Sequence, residues 1–150
     1  MKDDDVARLF DLADLILAVG RLIRPSGDRT TEACSPVESS VMRFISRNPG
    51  ASARAASEAT LLTSSNFSRV LRGLEKKGLV RREADVSDAR RLHLYPTVRA
   101  REDLQKLRDT WTGTLEEILD DPETVDFING KLRHIENELI ARHRRAIAHR

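Results

Sequence analysis

The hydrophobic period of this chain changes at Gly78, and that change restricts the fold more than any other feature. Before it, apolar residues recur at the spacing of a helical face. After it, residues 79–83 and 91–95 read as two short strands, the second alternating with Leu92 and Leu94 on one face. Three helices stand directly ahead of the switch. Ser35-Pro36-Val37-Glu38 opens the first with a capping Ser, a Pro suited to the first turn and a Glu that completes a capping box; Asn48-Pro49-Gly50 closes it. Ser52 can cap a short Ala-rich helix reaching about Thr60. The third helix starts within Thr63-Ser64-Ser65 and runs to Lys77, with Gly78 as its stop. Residues 84–90 form a polar tip without the Asn-Gly of a tight turn, which predicts a long, mobile loop. Three helices and then a two-stranded hairpin is the order of a winged helix-turn-helix.

Long helices flank this unit. Val6, Leu9, Phe10, Ala13, Ile16, Leu17, Gly20 and Ile23 share one helical face, which Leu12, Leu15, Val19 and Leu22 widen past half the circumference; a polar loop follows through Ala33. Beyond Pro96, Thr97 caps a helix with Leu104, Leu107, Trp111, Leu115 and Ile118 on one stripe. Asp121-Pro122 opens another, whose Val125, Ile128, Leu132, Ile135 and Leu139 make a seam suited to a second helix. Faces this apolar predict a two-fold dimer. The expected fold is mainly α with a small β-hairpin wing: a winged helix-turn-helix flanked by long N- and C-terminal dimerisation helices. Residues 1–34 would be the N-terminal dimerisation helix and loop, 35–97 the DNA-binding domain and 98–150 the C-terminal dimerisation helices.

Charge sharpens the picture only when it is located. The 26 Lys and Arg against 24 Asp and Glu leave +2, far from the charge of a histone-like DNA coat. Between Thr63 and Arg91, however, eight basic and four acidic residues give +4, while the remainder of the chain carries −2. Aromatics at 4% argue against work by ring stacking. No apolar run approaches the roughly 20 residues of a membrane span, and Met1-Lys2-Asp3-Asp4-Asp5 is acidic where a secretory signal is basic. The single Cys34 excludes an intramolecular disulfide framework and a Cys-rich zinc site, and fits a reducing cytoplasm.

In helix 63–77, Phe67, Val70, Leu71 and Leu74 share one face, and Ser64, Ser65, Ser68, Arg69 and Arg72 share another. Short hydrogen-bonding side chains near a helix N-terminus suit entry into the major groove. Ser64 and Ser65, with Asn66 beside them, supply these, and Arg69 and Arg72 could bridge guanine or grip a phosphate. The plain alternative is a surface helix with capping Ser and solvated Arg. On the wing, Arg90 lies near the tip, where no core requires it, and Asp88 could fix its guanidinium. A lone Arg on a ribbon suits the narrow minor groove of A·T-rich DNA; an exposed salt bridge is the competing reading. Arg81, Arg82 and Arg91 would touch phosphates.

The segments 68–80 (Ser68-Arg69-Val70-Leu71-Arg72-Gly73-Leu74-Glu75-Lys76-Lys77-Gly78-Leu79-Val80) and 81–91 (Arg81-Arg82-Glu83-Ala84-Asp85-Val86-Ser87-Asp88-Ala89-Arg90-Arg91) together resemble the MarR-type regulators. The resemblance implies a winged-helix homodimer that represses genes from a pseudo-palindromic operator of double-stranded DNA and is released by a small lipophilic or phenolic ligand. It also implies a minor-groove role for Arg90, with Asp88 as its partner. The chain departs from the family pattern in three places: Ala56 replaces a usual Leu in the short helix, Leu61 a usual Gly at the joint, and Ala100 a usual Gly after Thr97.

An effector cleft would lie near the first, second and fifth helices, with Phe10, Leu17, Met42, Leu107 and Trp111 as lining candidates that could equally be ordinary core. Cys34 has neighbours that supply nothing to activate a thiol and reads as a small half-buried residue. His134 and Glu138 are one turn apart, with His143 and His149 beyond, but the Arg142-His143-Arg144-Arg145 tail would repel a cation, so no metal or cofactor is expected. His93 reads as an exposed wing residue. Asn66-Phe67-Ser68 matches a glycosylation acceptor but falls inside a helix. No catalytic constellation stands out, so an enzyme is not expected. A winged-helix module that binds protein without specific DNA contact is the alternative function.

Overall fold

The Ser35 motif sets the start of helix α2 (Pro36–Arg47) as expected. The Glu38 backbone N–H donates to Ser35 Oγ at 3.2 Å, and the Ser35 N–H donates to Glu38 Oε2 at 2.8 Å. The computed structural model describes residues 3–23 and 34–148; the loop expected over 25–33 and His149 lie outside the described residues. The elements run α1 (Asp3–Leu22), α2, β1 (Ala51–Ser52), α3 (Ala53–Ala59), α4 (Ser64–Lys76), β2 (Val80–Ala84), β3 (Leu92–Pro96), α5 (Val98–Glu116) and α6 (Pro122–Ala148).

Gly78 ends α4 for a reason visible in its backbone. At φ 69° it occupies the left-handed region, so the Leu79 N–H turns back to Leu74 O and the Gly78 N–H to Glu75 O, both at 2.9 Å. The same closure ends α3: the Leu62 N–H reaches Ser57 O at 3.1 Å and the Leu61 N–H reaches Glu58 O at 3.4 Å. There the left-handed residue is Leu61, φ 58°, the single non-glycine of this kind among the described residues. A Cβ in that conformation costs roughly 1–2 kcal/mol, which accounts physically for the Gly usual at this joint.

The wing is part of a three-stranded antiparallel sheet, ordered β1-β3-β2, and not a two-stranded hairpin. Ala51 pairs with Leu94 and Ser52 with His93 on one side of β3, while Arg82 pairs with Leu94 and Val80 with Pro96 on the other. The added strand has only two residues, too few to show a period, and Ser52 also caps α3 by accepting the Ala55 N–H at 3.1 Å.

Around this sheet the core gathers Val41 and Ile45 of α2, Ala56 of α3, Phe67, Leu71 and Leu74 of α4, then Leu79, Val80, Leu94 and Ala100. Two of the departures from the family pattern, Ala56 and Ala100, are thus buried small residues. Thr97 joins the sheet to α5: its hydroxyl donates to Gly78 O at 2.7 Å and accepts the Ala100 N–H at 3.1 Å. The long helices contrast with this domain. Leu9, Phe10, Leu15 and Leu17 of α1 are all exposed, as are Leu132 and Leu139 of α6.

Glu38 also ties α2 to the end of α4, since Lys77 Nζ donates to its Oε2 at 2.8 Å with both side chains largely buried. Burial pushes the Glu38 carboxyl upward, but the bonds and charge of Lys77 and the bonds from Ser35 outweigh it and hold the group below the usual carboxylate value. Such a group adds stability that is fully present above the ordinary carboxylate range and is lost as pH falls through the depressed value. Glu38→Gln is therefore expected to cost about 1–3 kcal/mol at pH 7 in urea unfolding, through the lost cap and the unpaired Lys77. The gap should narrow as the pH is taken below that range. A gap constant from pH 7 to pH 3 would contradict this assignment.

Candidate nucleic-acid interface

Helix α4 presents two faces of opposite character. Phe67, Leu71 and Leu74 are buried and Val70 is partly so, which fixes the rotation of the helix and turns Ser64, Ser65, Asn66, Ser68, Arg69 and Arg72 to the outside. Thr63, the residue before the helix, is its cap: Oγ1 accepts the Asn66 N–H at 3.3 Å and lies 3.3 Å from Ser65 Oγ. Ser65 is thereby held at the first turn beside the exposed Ser64 and Ser68. Arg69, Arg72 and Lys76 continue down the same exposed stripe at helical spacing.

Ion pairing sorts the basic residues of this unit into two groups. Arg82 makes a two-pronged bond to Glu75, Nε to Oε1 at 2.6 Å and a terminal nitrogen to Oε2 at 2.7 Å, and so braces β2 against α4. Arg81 pairs with Glu83 and lies over the Tyr95 ring at 4.8 Å. Arg91 Nε is 3.7 Å from Asp88 Oδ2, and Lys77 is taken by Glu38. Arg69, Arg72, Lys76 and Arg90 have no such partner among the described residues. Of the three arginines expected at phosphates, Arg81 and Arg82 thus hold the wing to itself and to α4, while Arg91 is largely exposed.

The wing tip is hydrogen-bonded, in contrast to the loose loop expected from its composition. Asp85 Oδ1 accepts the Ser87 N–H at 2.8 Å, the Ser87 hydroxyl, and the Asp88 N–H at 3.1 Å. These bonds and the Ser87 hydroxyl, with His93, hold the Asp85 carboxyl well below its ordinary value. The Asp85 N–H reaches Arg91 O and the Arg91 N–H reaches Asp88 O, closing the turn. Asp88 does act on Arg90, but through the backbone: its Oδ1 accepts the Arg90 N–H at 3.0 Å, while its other oxygen faces Arg91. Arg90 itself is exposed.

His93 is not the exposed residue its strand position suggested; it is half-buried, with a partner at each ring nitrogen. Arg54 escaped the sequence reading as well. It sits in the first turn of α3, paired with Glu58 at 2.9 Å, on a cleft of about 600 Å³ that it shares with Ser64, Ser68, Phe67 and Leu62. The available signal was an Arg just inside a capped helix that precedes the helix with the exposed Ser and Arg stripe. Of the five effector-cleft candidates, Met42 packs against the core and Leu107 is partly buried, whereas Phe10, Leu17 and Trp111 are exposed. None of the five lines this cleft or a smaller one at Arg43, Phe44 and Arg47.

Cys34 is partly buried against the core; burial and then Glu38 push its thiol above the ordinary value, the direction of an unreactive group. Among the described residues no cluster of three or more His, Cys, Asp or Glu side chains could hold a metal ion, and no described helix is long and apolar enough to cross a membrane.

A capped helix with short polar residues at its first turn, an Arg stripe and a wing ending in a free Arg define the winged helix-turn-helix class. Comparison narrows the class: residues 35–91 match the model of the MarR family. Solved structures share the fold along most of the chain. FabT of Streptococcus pneumoniae, in complex with DNA, superposes with a TM-score of 0.68 at 18% identity, over 92% of this chain and 97% of that one. PcaV of Streptomyces coelicolor, in complex with its natural ligand, gives 0.59 at 20% identity over 84% and 89%. The transcriptional repressor CouR, bound to a 23-mer DNA duplex, gives 0.56 at 25% identity over 69% and 75%. A comparison with curated proteins gives no match.

Proposed function

We propose that this protein is a sequence-specific DNA-binding transcriptional regulator, a repressor that acts as a homodimer on a pseudo-palindromic operator. One observation carries the reading. Between Thr63 and Arg91, Arg69 and Arg72 on the exposed face of α4 and Arg90 at the wing tip have no ion-pair partner among the described residues, while Arg81, Arg82 and Arg91 are engaged in ion pairs. Unpaired cations beside the Ser64, Ser65, Asn66 and Ser68 side chains match what a major-groove helix requires, and Arg90 matches an arm reaching the adjacent minor groove. Arg91 would add a phosphate contact, while Arg81, Arg82 and Asp88 support the wing that carries Arg90. DNA-bound FabT and CouR support the same assignment by likeness.

The dimer is supported by the apolar residues of α1 and α6 that a single chain leaves exposed. Residues 1–34 and 98–150 then serve dimerisation and 35–97 serve DNA binding, in the cytoplasm and without catalysis of its own. PcaV holds a ligand, and a small-molecule effector is proposed here also, at a cleft that the pairing of two chains would complete near Phe10, Leu17, Met42, Leu107 and Trp111.

Selection of bound sequences from a random duplex pool tests the reading. The expected result is a palindrome whose half-sites lie one helical turn apart, about 34–36 Å, the spacing of a two-fold dimer. A pool that shows no enrichment after repeated rounds would overturn it.

A further inference from the structure

His93 stands in the middle strand of the wing sheet, where both ring nitrogens face acceptors. Nδ1 lies 2.7 Å from Gly50 O and Nε2 lies 2.8 Å from Asp85 Oδ2. A backbone carbonyl has no hydrogen to give, and the Asp85 carboxyl is held ionised by Ser87, His93 and the Asp88 N–H. Both ring nitrogens must therefore donate, which a neutral imidazole cannot do. The two acceptors belong to different parts of the domain. Gly50 is the tight corner ahead of β1, with positive φ and so close to Tyr95 that a Cβ would meet its hydroxyl at 3.1 Å. Asp85 is the hub of the wing turn, and the turn in turn fixes the Arg90 backbone through Asp88.

We propose that His93 is a positioning residue for DNA binding: its imidazolium clasps the wing turn at Asp85 to the sheet corner at Gly50, and loss of the proton opens one side of the clasp and loosens the presentation of Arg90. The inference rests on the reading of this protein as a DNA-binding regulator. On deprotonation one nitrogen turns a lone pair toward an oxygen, so either the Asp85 or the Gly50 contact is lost.

The charged groups around the ring decide the sign. Asp85, first by its hydrogen bond, and then Gly50 raise the His93 value, while burial and Arg91, just ahead of β3, oppose them. Glu83 lies opposite on β2 but is engaged with Arg81, Ser52 lies opposite on β1 and is uncharged, and Tyr95 stands beside Gly50. A raised value means that the clasp is complete below the ordinary histidine value and is lost as pH rises through the raised one. DNA binding should accordingly weaken toward alkaline pH. By reciprocity, adding duplex should raise the His93 value further.

The test uses the full chain and the duplex recovered by selection, with fluorescence anisotropy at constant salt from pH 6 to 9. The unsubstituted protein is expected to lose about threefold in affinity per wing, roughly tenfold for two wings, the scale of an exposed charged contact. His93→Gln, which donates a single pH-independent bond, should show a flat profile. In parallel, the His93 ring followed by NMR should titrate above the ordinary value, return toward it in Asp85→Asn, and carry the Ser87, Asp88 and Arg90 amides with it. Specific binding with the same pH profile in the unsubstituted protein and His93→Gln overturns the clasp and leaves the DNA reading intact. Wing amides that do not follow the ring overturn it equally. Absence of specific binding at every pH overturns the DNA reading itself, and the proposal with it.

Discussion

Replacing Arg90 or Arg69 with Ala is expected to weaken specific duplex binding by about 1–3 kcal/mol each, roughly 5- to 150-fold. The two should fail in different ways. Arg69 sits on the exposed stripe of α4 behind Ser65, and its loss should relax base preference at one position of each half-site. Among the described residues Arg90 is held through its backbone alone, so its loss should change preference in the flanking A·T-rich steps while leaving the central positions alone. Binding should also fall steeply with salt, by nearly one unit of logarithmic slope for each phosphate neutralised, and a phosphate role for either residue would lower that slope by about one. Arg82→Ala separates contact from support: Arg82 is bonded at both prongs to Glu75, so its removal should loosen the wing without a base-specific signature. Silence of both Arg69→Ala and Arg90→Ala in a quantitative binding assay would refute the interface.

Leu94→Ala is the substitution expected to cost most in stability, about 2–5 kcal/mol. Leu94 is fully buried at the centre of β3, paired with Ala51 on one side and Arg82 on the other, with Ile45 and Val41 of α2 in the same core. The cavity left there has the sheet on one side and helices on the other, with little freedom to collapse. Domains are stable by only about 5–15 kcal/mol in all, so this one change should remove a large part of the margin. Urea unfolding would read it as a lower midpoint with an unchanged slope. A loss below about 1 kcal/mol would mean that the core does not close over β3 as described.

The helical order and the exposed polar face of α4 were legible because each rests on local chemistry. The Ser35 capping box, the Gly78 stop and the Thr97 cap act within a few residues of themselves, and the apolar spacing of Phe67, Leu71 and Leu74 fixes which face of α4 is outside. The β1 strand was not legible, because a two-residue strand has no period and exists only where β3 passes beside it. Nor was the ordered wing tip. Its composition signals a loop, and its order comes from Asp85 reaching residues that the turn brings within range.

The sorting of the cations shows the same division most sharply. Sequence alone placed eight basic residues between Thr63 and Arg91 and could count their charge. It could not say that Glu75 lies within bonding reach of Arg82, seven positions away across the end of a helix, or that Gly50 lies beside His93 across the sheet. Periodicity and capping are properties of neighbours along the chain, so the sequence determined the elements, their order and their faces. Which charges are cancelled, which are left exposed and which histidine is trapped between two acceptors depend on distances that exist only once distant segments pack together. The tertiary structure alone decided those.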